Sequence, residues 1–254
     1  MKLFNQSLQR VFLILEILAD YPDGLLLTEL SEKTQIHKST MHRFISDLME
    51  LGYVSQLADR RYILTYKLFM LGSSKLKALD IQKIARPILA KLSQDVNEVI
   101  HLIVSDLPNI VYIDKIENTD NAITMGSYIG KRSPMIYTAS GKALLADLDN
   151  SLIEKIWSTT NQGPLTPNSI KTLDELMIQI NETRRTRISI DNEENEENLY
   201  CVSTTIRDHT NSAVAAISIS GPVFRMKAKT GPEMNEKLLQ ASSEISQTLG
   251  GQLG

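Results

Sequence analysis

The chain has 254 residues, 42% hydrophobic and 22% charged, an ordinary globular composition with length for a domain of about 70 residues beside one of about 170. No apolar run approaches the roughly 18 residues that cross a bilayer, and the single cysteine, Cys201, excludes an internal disulfide and suits a reducing compartment. The formal net charge of -3 neither marks nor excludes a nucleic-acid partner, so a local basic face has to be sought. From Met1 the sequence runs directly into an amphipathic pattern carrying Arg10 and Glu16, without a signal peptide's uncharged apolar core, and the expected compartment is the cytoplasm.

Leu8, Val11, Phe12, Leu15 and Leu18 repeat at helical spacing and predict a first helix from Ser7 that ends at Tyr21-Pro22-Asp23-Gly24. Thr28 is expected to cap a short second helix, Glu29 to Thr34, anchored by Leu30. A third helix follows from Lys38, with Met41, Phe44, Ile45 and Leu48 inward and Gly52 as its left-handed stop. Two strand-like runs, Tyr53 to Leu57 and Arg61 to Leu64, then form a hairpin. Three helices and a hairpin predict a winged helix-turn-helix over residues 1–66.

Residues 67–84 read as a linker and dimer helix, because Leu68, Leu71, Leu76 and Leu79 have no evident partner within one chain. Pro87 is expected in the first turn of the next helix, with Ile88, Leu89 and Leu92 inward. Val99 to Ser105 and Ile110 to Ile116 predict a hairpin, followed by a strand-like run at Ala122 to Tyr128. Ser140 to Leu148 and Leu173 to Arg185 read as helices, Leu199 to Ile206 and Ala213 to Ser220 as a second hairpin, and Glu233 to Leu249 as a closing helix. Hairpins interleaved with helices predict an α+β domain on an antiparallel sheet over residues 85–254.

A recognition helix needs a polar face whose first turns reach base edges, and donors that hold phosphates. Lys38, Ser39, Thr40, His42 and Arg43 supply these at the start of the third helix, and Arg60 and Arg61 sit at the hairpin tip. His42 and Arg43 alone would read as a solvated helix face; the helix-turn-helix spacing and the basic hairpin favour DNA. Enzyme readings fare worse. Around Ser140-Gly141-Lys142, Ile136 stands where a phosphate loop needs its first glycine and Ala143 where Ser or Thr must hold magnesium. His37, His42, His101, His209 and Cys201 show no zinc spacing, and nothing brings His101 or His209 to Cys201 as a base. Neither metal nor cofactor is expected.

Ser7-Leu8-Gln9-Arg10, Leu30-Ser31-Glu32-Lys33-Thr34, Lys38-Ser39-Thr40-Met41-His42-Arg43 and Leu51-Gly52-Tyr53-Val54 together resemble the DNA-binding domain of the IclR family of bacterial regulators. The resemblance continues through Ala139 to Ala146, Asp191 to Asn195, Cys201, and Ala216 to Pro222. It implies an operator-binding homodimer or homotetramer, a repressor or activator of a catabolic operon, with a GAF-like effector domain. The DNA-facing set becomes Arg10, Lys38, Ser39, Thr40, His42, Arg43, Arg60 and Arg61. For the effector, the resemblance implies backbone N-H groups at Ala139 and Ser140 and side chains of Asp191, Cys201, Ser218 and Ser220, with Met125 as an apolar wall. The chain departs from the family pattern at the residue before Arg61, at Thr186-Arg187-Ile188 and at Asn198, where glycine is usual in the family's hairpin, glycine-aromatic pair and acidic loop.

The physical logic agrees with this carry-over. Backbone donors at a helix start favour a carboxylate. Ser218 and Ser220 lie two apart on one strand and share a face that Cys201 can share. Duller readings stand beside it: a small core cysteine, and Asp191 capping a turn before Glu193, Glu194, Glu196 and Glu197, most of which read as a solvated loop. The stretches Tyr112 to Glu117 and Ile129 to Pro134 resemble members that respond to sugar-acid products such as 2-keto-3-deoxygluconate. A regulator controlled by a protein partner, with no ligand, is the alternative.

Overall fold

The computed structural model describes residues 6–76, 81–117, 126–160 and 163–251. The chain divides into two units, Met1–Leu79 and Asp80–Gly254.

In the first unit α1 (Gln6–Ala19), α2 (Leu27–Thr34) and α3 (Lys38–Glu50) precede a hairpin of β1 (Val54–Gln56) and β2 (Tyr62–Leu64), and α4 (Lys67–Leu76) follows. Helix α1 packs on α2 and β2 through its last turns, burying Ile14, Leu15 and Leu18. Leu8 and Phe12, expected inward, are instead 56% and 53% exposed, because the start of the helix extends beyond the small core. Helix α2 begins at Leu27, so Thr28 is not its cap. Glu29 reaches back instead, and its carboxylate accepts the Leu26 N-H at 2.7 Å. Helix α3 buries Met41, Phe44, Ile45 and Leu48 as its periodicity predicts, and Gly52 takes a φ of +75° beyond its end. These four join Leu30, Ile36, Val54 and Tyr62 in one core. At about 1.5 to 3 kcal/mol for each large side chain buried, this contact set holds the three helices and the hairpin together.

Residues 67–84 are not one element: α4 belongs to the first unit, and Ile81 opens the next helix in the second. Leu68 packs on the small core and so has a home within the chain. Leu79 and the side chain of Leu76 lie outside the described residues.

The second unit is built on a six-stranded antiparallel sheet of order β5-β4-β3-β8-β7-β6. Its strands are β3 (Val99–Asp106), β4 (Asn109–Ile116), β5 (Arg132–Pro134), β6 (Ser189–Asn192), β7 (Leu199–Arg207) and β8 (Ala213–Pro222). Both predicted hairpins are present, as β3-β4 and β7-β8. Helices α5 (Ile81–Val96) and α10 (Pro232–Thr248) cover one face, and α6 (Ala139–Leu145) the other, where α7 (Asn150–Thr159) and α8 (Leu173–Thr186) complete the core. A short helix, α9 (Val223–Lys229), follows β8.

Register explains the two faces. Ile190, Val202, Ile219 and Ile100 are consecutive partners across four strands and form an apolar row toward α5 and α10. The next row has Asp191, Cys201 and Ser220 on the α6 side. Pro87 lies inside α5 rather than in its first turn, because burial of Ile81 and Ala85 starts the helix earlier. Of the run expected as a strand at Ala122 to Tyr128, residues 122–125 lie outside the described residues and 126–128 are not strand. Sequence periodicity missed the short β5, β6 and α9, and the ten-residue α7.

Candidate functional site

On the first unit Lys38, Ser39, His42 and Arg43 are exposed at the start of α3, while Thr40 is half-buried, as is Arg10 on α1. His37, which sequence reading passed over, caps α3: its Nδ1 lies 3.0 Å from the Ser39 hydroxyl and accepts the Ser39 N-H at 3.5 Å. The two hairpin arginines differ. Arg60 is exposed at the tip with φ +69°. Arg61 turns back, donating to the Gly24 carbonyl at 3.1 Å and pairing with Asp59 at 3.3 Å, so it braces the hairpin against the α1–α2 turn.

On the second unit the sheet brings the predicted effector residues together. Asp191 pairs with Cys201 and Cys201 with Ser220, so their side chains stand in one row. The neighbouring row runs Ser189, Ser203, Ser218, His101, Lys115. The start of α6 is fastened to this second row: Ser189 donates to the Ala139 carbonyl at 2.6 Å, and the Ser203 hydroxyl meets that of Ser140 at 3.1 Å. Thr138 caps α6 and accepts the Gly141 N-H at 3.1 Å. The N-H groups of Ala139 and Ser140 belong to the opening turn, which has no carbonyl partner within a helix. A side chain at Gly141 would collide with the backbone of Met135, so this glycine serves close packing rather than a phosphate. Met125 lies outside the described residues.

Three further residues join the cluster. His101 is buried between the serines and a loop, with Nδ1 3.4 Å from the Ser218 hydroxyl and 3.3 Å from that of Ser220, and Nε2 2.8 Å from Ser127 Oγ. Tyr112 stacks edge-on against its ring at 5.0 Å. Lys142 of α6 is fully buried, and its ammonium donates to both Glu194 carboxylate oxygens at 2.7 Å and to Gln179 at 2.6 Å. Glu194 is therefore not a solvated loop residue. Asp191 sits on a strand and also holds the loop, accepting the Glu194 N-H at 2.8 Å.

Burial governs the protonation of these groups. It pushes the His101 imidazole down to about 3, with Lys115 and Lys131 adding repulsion, so the ring is neutral. Burial raises the Asp191 carboxyl to about 7, against the opposing pull of Lys142 and the Glu194 N-H. The Cys201 thiol is pushed up by burial and then by Asp191, which keeps it protonated and unreactive. Among the described residues no group of His, Cys, Asp and Glu side chains is arranged to hold a metal, and no helix is long and apolar enough to cross a membrane.

A winged helix-turn-helix with an exposed basic recognition helix, followed by an α+β domain with a buried polar cluster under a helix start, defines a two-domain DNA-binding regulator. Comparison with known proteins agrees. A family model of the IclR helix-turn-helix domain matches residues 7–58, and one of the bacterial transcriptional regulator IclR C-terminal region matches residues 73–247. The HTH-type transcriptional regulator KdgR of Dickeya chrysanthemi is 36% identical over 245 residues, covering 96% of this chain and 80% of that protein. The crystal structure of Thermotoga maritima IclR matches with a TM-score of 0.79 at 32% identity, covering 96% of this chain and 98% of that one. An IclR homolog of Microbacterium hydrocarbonoxydans complexed with 4-hydroxybenzoate shares the fold, with a TM-score of 0.82 at 20% identity over 96% and 99% of the two chains. This chain belongs to the IclR family: it is a DNA-binding transcriptional regulator and not an enzyme.

Proposed function

We propose that this regulator represses a catabolic operon in the cytoplasm and senses a small organic acid, of the sugar-acid class typified by 2-keto-3-deoxygluconate. The observation that carries the reading is the buried polar cluster itself, with Asp191, Cys201 and Ser220 in one row and Ser218 and His101 in the next. Hydroxyls, a neutral imidazole and a carboxyl poised near neutrality suit a hydroxylated acid, whose carboxylate the open N-H groups of Ala139 and Ser140 would receive. The similarity to KdgR over nearly the whole chain supports the sugar-acid class.

The partner at the other end is double-stranded operator DNA, met by Arg10, Lys38, Ser39, Thr40, His42 and Arg43 and by Arg60 of the wing, which Arg61 braces from behind, in a homo-oligomer. Calorimetry of the full chain with 2-keto-3-deoxygluconate tests the sensor. Ser218→Ala with Ser220→Ala should weaken acid binding roughly fivefold to a hundredfold, at about 0.5 to 1.5 kcal/mol per hydroxyl, and leave acid-free DNA binding intact. Equal affinity in wild type and double variant would remove these strands from the site.

A further inference from the structure

Over the stretch where they pair, strand β4 uses one residue more than β3. Leu102 pairs with Asp114 and Ile103 with Tyr112, so Ile113 bulges out of the ladder between them. A bulge re-aims the side chains around it, and here both sides are gripped. On the site side the Tyr112 ring stands against His101, and the Lys115 ammonium donates at 2.7 Å to the carbonyl of Ser127, whose hydroxyl meets His101. On the other side α5 takes hold of the next two groups. Gln82 Nε2 donates to the Ile113 carbonyl, and Arg86 spans the two Asp114 oxygens at 2.6 and 2.8 Å. The Asp114 side chain is 3% exposed while that of Arg86 is 63% exposed, so a buried carboxylate, which also accepts the Lys115 N-H at 2.9 Å, takes its counter-charge from a cation held at the surface.

Both gripping residues lie ahead of Pro87, whose missing N-H interrupts the hydrogen bonds of α5. They also lie in the first turns of the second unit, on the chain that arrives from the DNA-binding unit. We propose that Arg86, Asp114 and Gln82 are positioning residues of the effector site. They fix the Ile113 bulge, the bulge fixes Tyr112 and Lys115, and these fix His101 and Ser127 over the serines. Site occupancy and the seating of α5 ahead of Pro87 are then one equilibrium, read from either end. This rests on the reading of the Cys201 face as the effector site.

The single cysteine is a built-in reporter, since Cys201 stands in the row of Asp191 and Ser220 and is buried. Its labelling by 5,5′-dithiobis(2-nitrobenzoate) in the full chain at fixed pH measures how often that face opens, and no acid is needed. Arg86→Gln and Asp114→Asn should each speed labelling about fivefold or more, the change expected for roughly 1 kcal/mol of lost site closure, with no further gain in the double variant. Gln82→Met, which strands no charge, should speed it in the same direction. Arg207→Gln is the control, because Arg207 lies on the same strand as Cys201 and its loss breaks an ion pair, with the more exposed Asp147, away from the Ile113 bulge. It should label like wild type.

In the reverse direction His101→Gln should speed amide hydrogen exchange of residues 81–86. Wild-type labelling rates in both Arg86→Gln and Gln82→Met, or an equal acceleration in Arg207→Gln, would overturn the proposal. Failure of the effector reading would show separately, as absence of binding heat with the acid.

Discussion

At the scale of single residues, the three places where this chain lacks a customary glycine are informative, because the backbone there has kept the glycine conformation. Arg60, Arg187 and Asn198 have φ of +69°, +62° and +63°, left-handed values that cost an ordinary L-residue about 1 kcal/mol or more and asparagine less. Arg60→Gly should therefore raise stability by about 0.5 to 1 kcal/mol in urea unfolding, with a smaller gain for Asn198→Gly. Arg60→Gly should also lower the salt dependence of DNA binding by about one phosphate contact, if the exposed wing cation meets the backbone. Stability gained with an unchanged salt slope would take Arg60 off the DNA. Asp191 and His101 form an opposed pair. Between about pH 4 and 6.5 the folded chain keeps an Asp191 proton that the unfolded chain releases, so this group makes stability fall as pH rises. Over the same range the unfolded chain binds a His101 proton that the folded chain excludes, so stability rises with pH. The two slopes cancel in the native protein. Relative to wild type, Asp191→Asn should gain stability from pH 4 to 7 and His101→Gln should lose it from pH 3 to 6.5, each by up to about 1.4 kcal/mol per pH unit. Parallel pH profiles for all three proteins would show that neither group is buried in the form described.

At the scale of elements, pieces with a clear period or flanking turn signals were legible, down to the α2 helix and the β1-β2 hairpin, while β5, β6, α7 and α9 were not. Helix α3 announced itself because Met41, Phe44, Ile45 and Leu48 repeat every three or four residues and all four face the core. Strands β6 and β5 have four and three residues, too few to show a period of two, so a turn-capping role for Asp191 stayed open until the fold placed it on the sheet edge. Glu194 was hidden by its neighbours. An acidic run looks solvated, and only the fold reveals that one member turns inward to Lys142, a lysine that composition also assigns to the surface. The pair joins α6 to the β6–β7 loop, with Gln179 of α8 completing the ammonium's bonds. Removing one partner leaves a buried charge, so Lys142→Met and Glu194→Gln should each destabilise by about 3 to 5 kcal/mol in urea unfolding. The double change to Lys142→Met with Glu194→Leu should recover most of that loss, since a packed apolar pair avoids the desolvation cost. Additive losses would mean that the loop needs the charges for its conformation and not merely for neutrality.

At the scale of the whole molecule, the first unit leaves large aromatic side chains in solvent: Phe12 is 53% exposed on α1, and Tyr66, just ahead of α4, and Phe69 within it are 84% and 70% exposed. The proposed homo-oligomer gives these side chains a partner, because a two-fold axis would bury like against like and set two α3 helices at the fixed spacing that a partly palindromic site requires. The full chain should therefore sediment as a dimer or tetramer at micromolar concentration. Phe12→Glu with Phe69→Glu places carboxylates on that surface and should shift the protein toward monomer. Operator duplexes can be obtained by selection from random sequence, and on these the double variant should lose well over tenfold in affinity, since the second half-site is bound at the high effective concentration that the dimer supplies. Arg43→Ala should act differently, costing about 1 to 3 kcal/mol at one base pair of each half-site without changing assembly, while Lys38→Ala weakens all sequences alike. The proposed acid binding by the second unit gives the internal control and should be the same in every one of these variants. A Phe12/Phe69 variant that remained dimeric, or one that became monomeric yet held operator DNA as tightly as wild type, would move the interface elsewhere on the chain, and in the second case would mean that one recognition helix suffices.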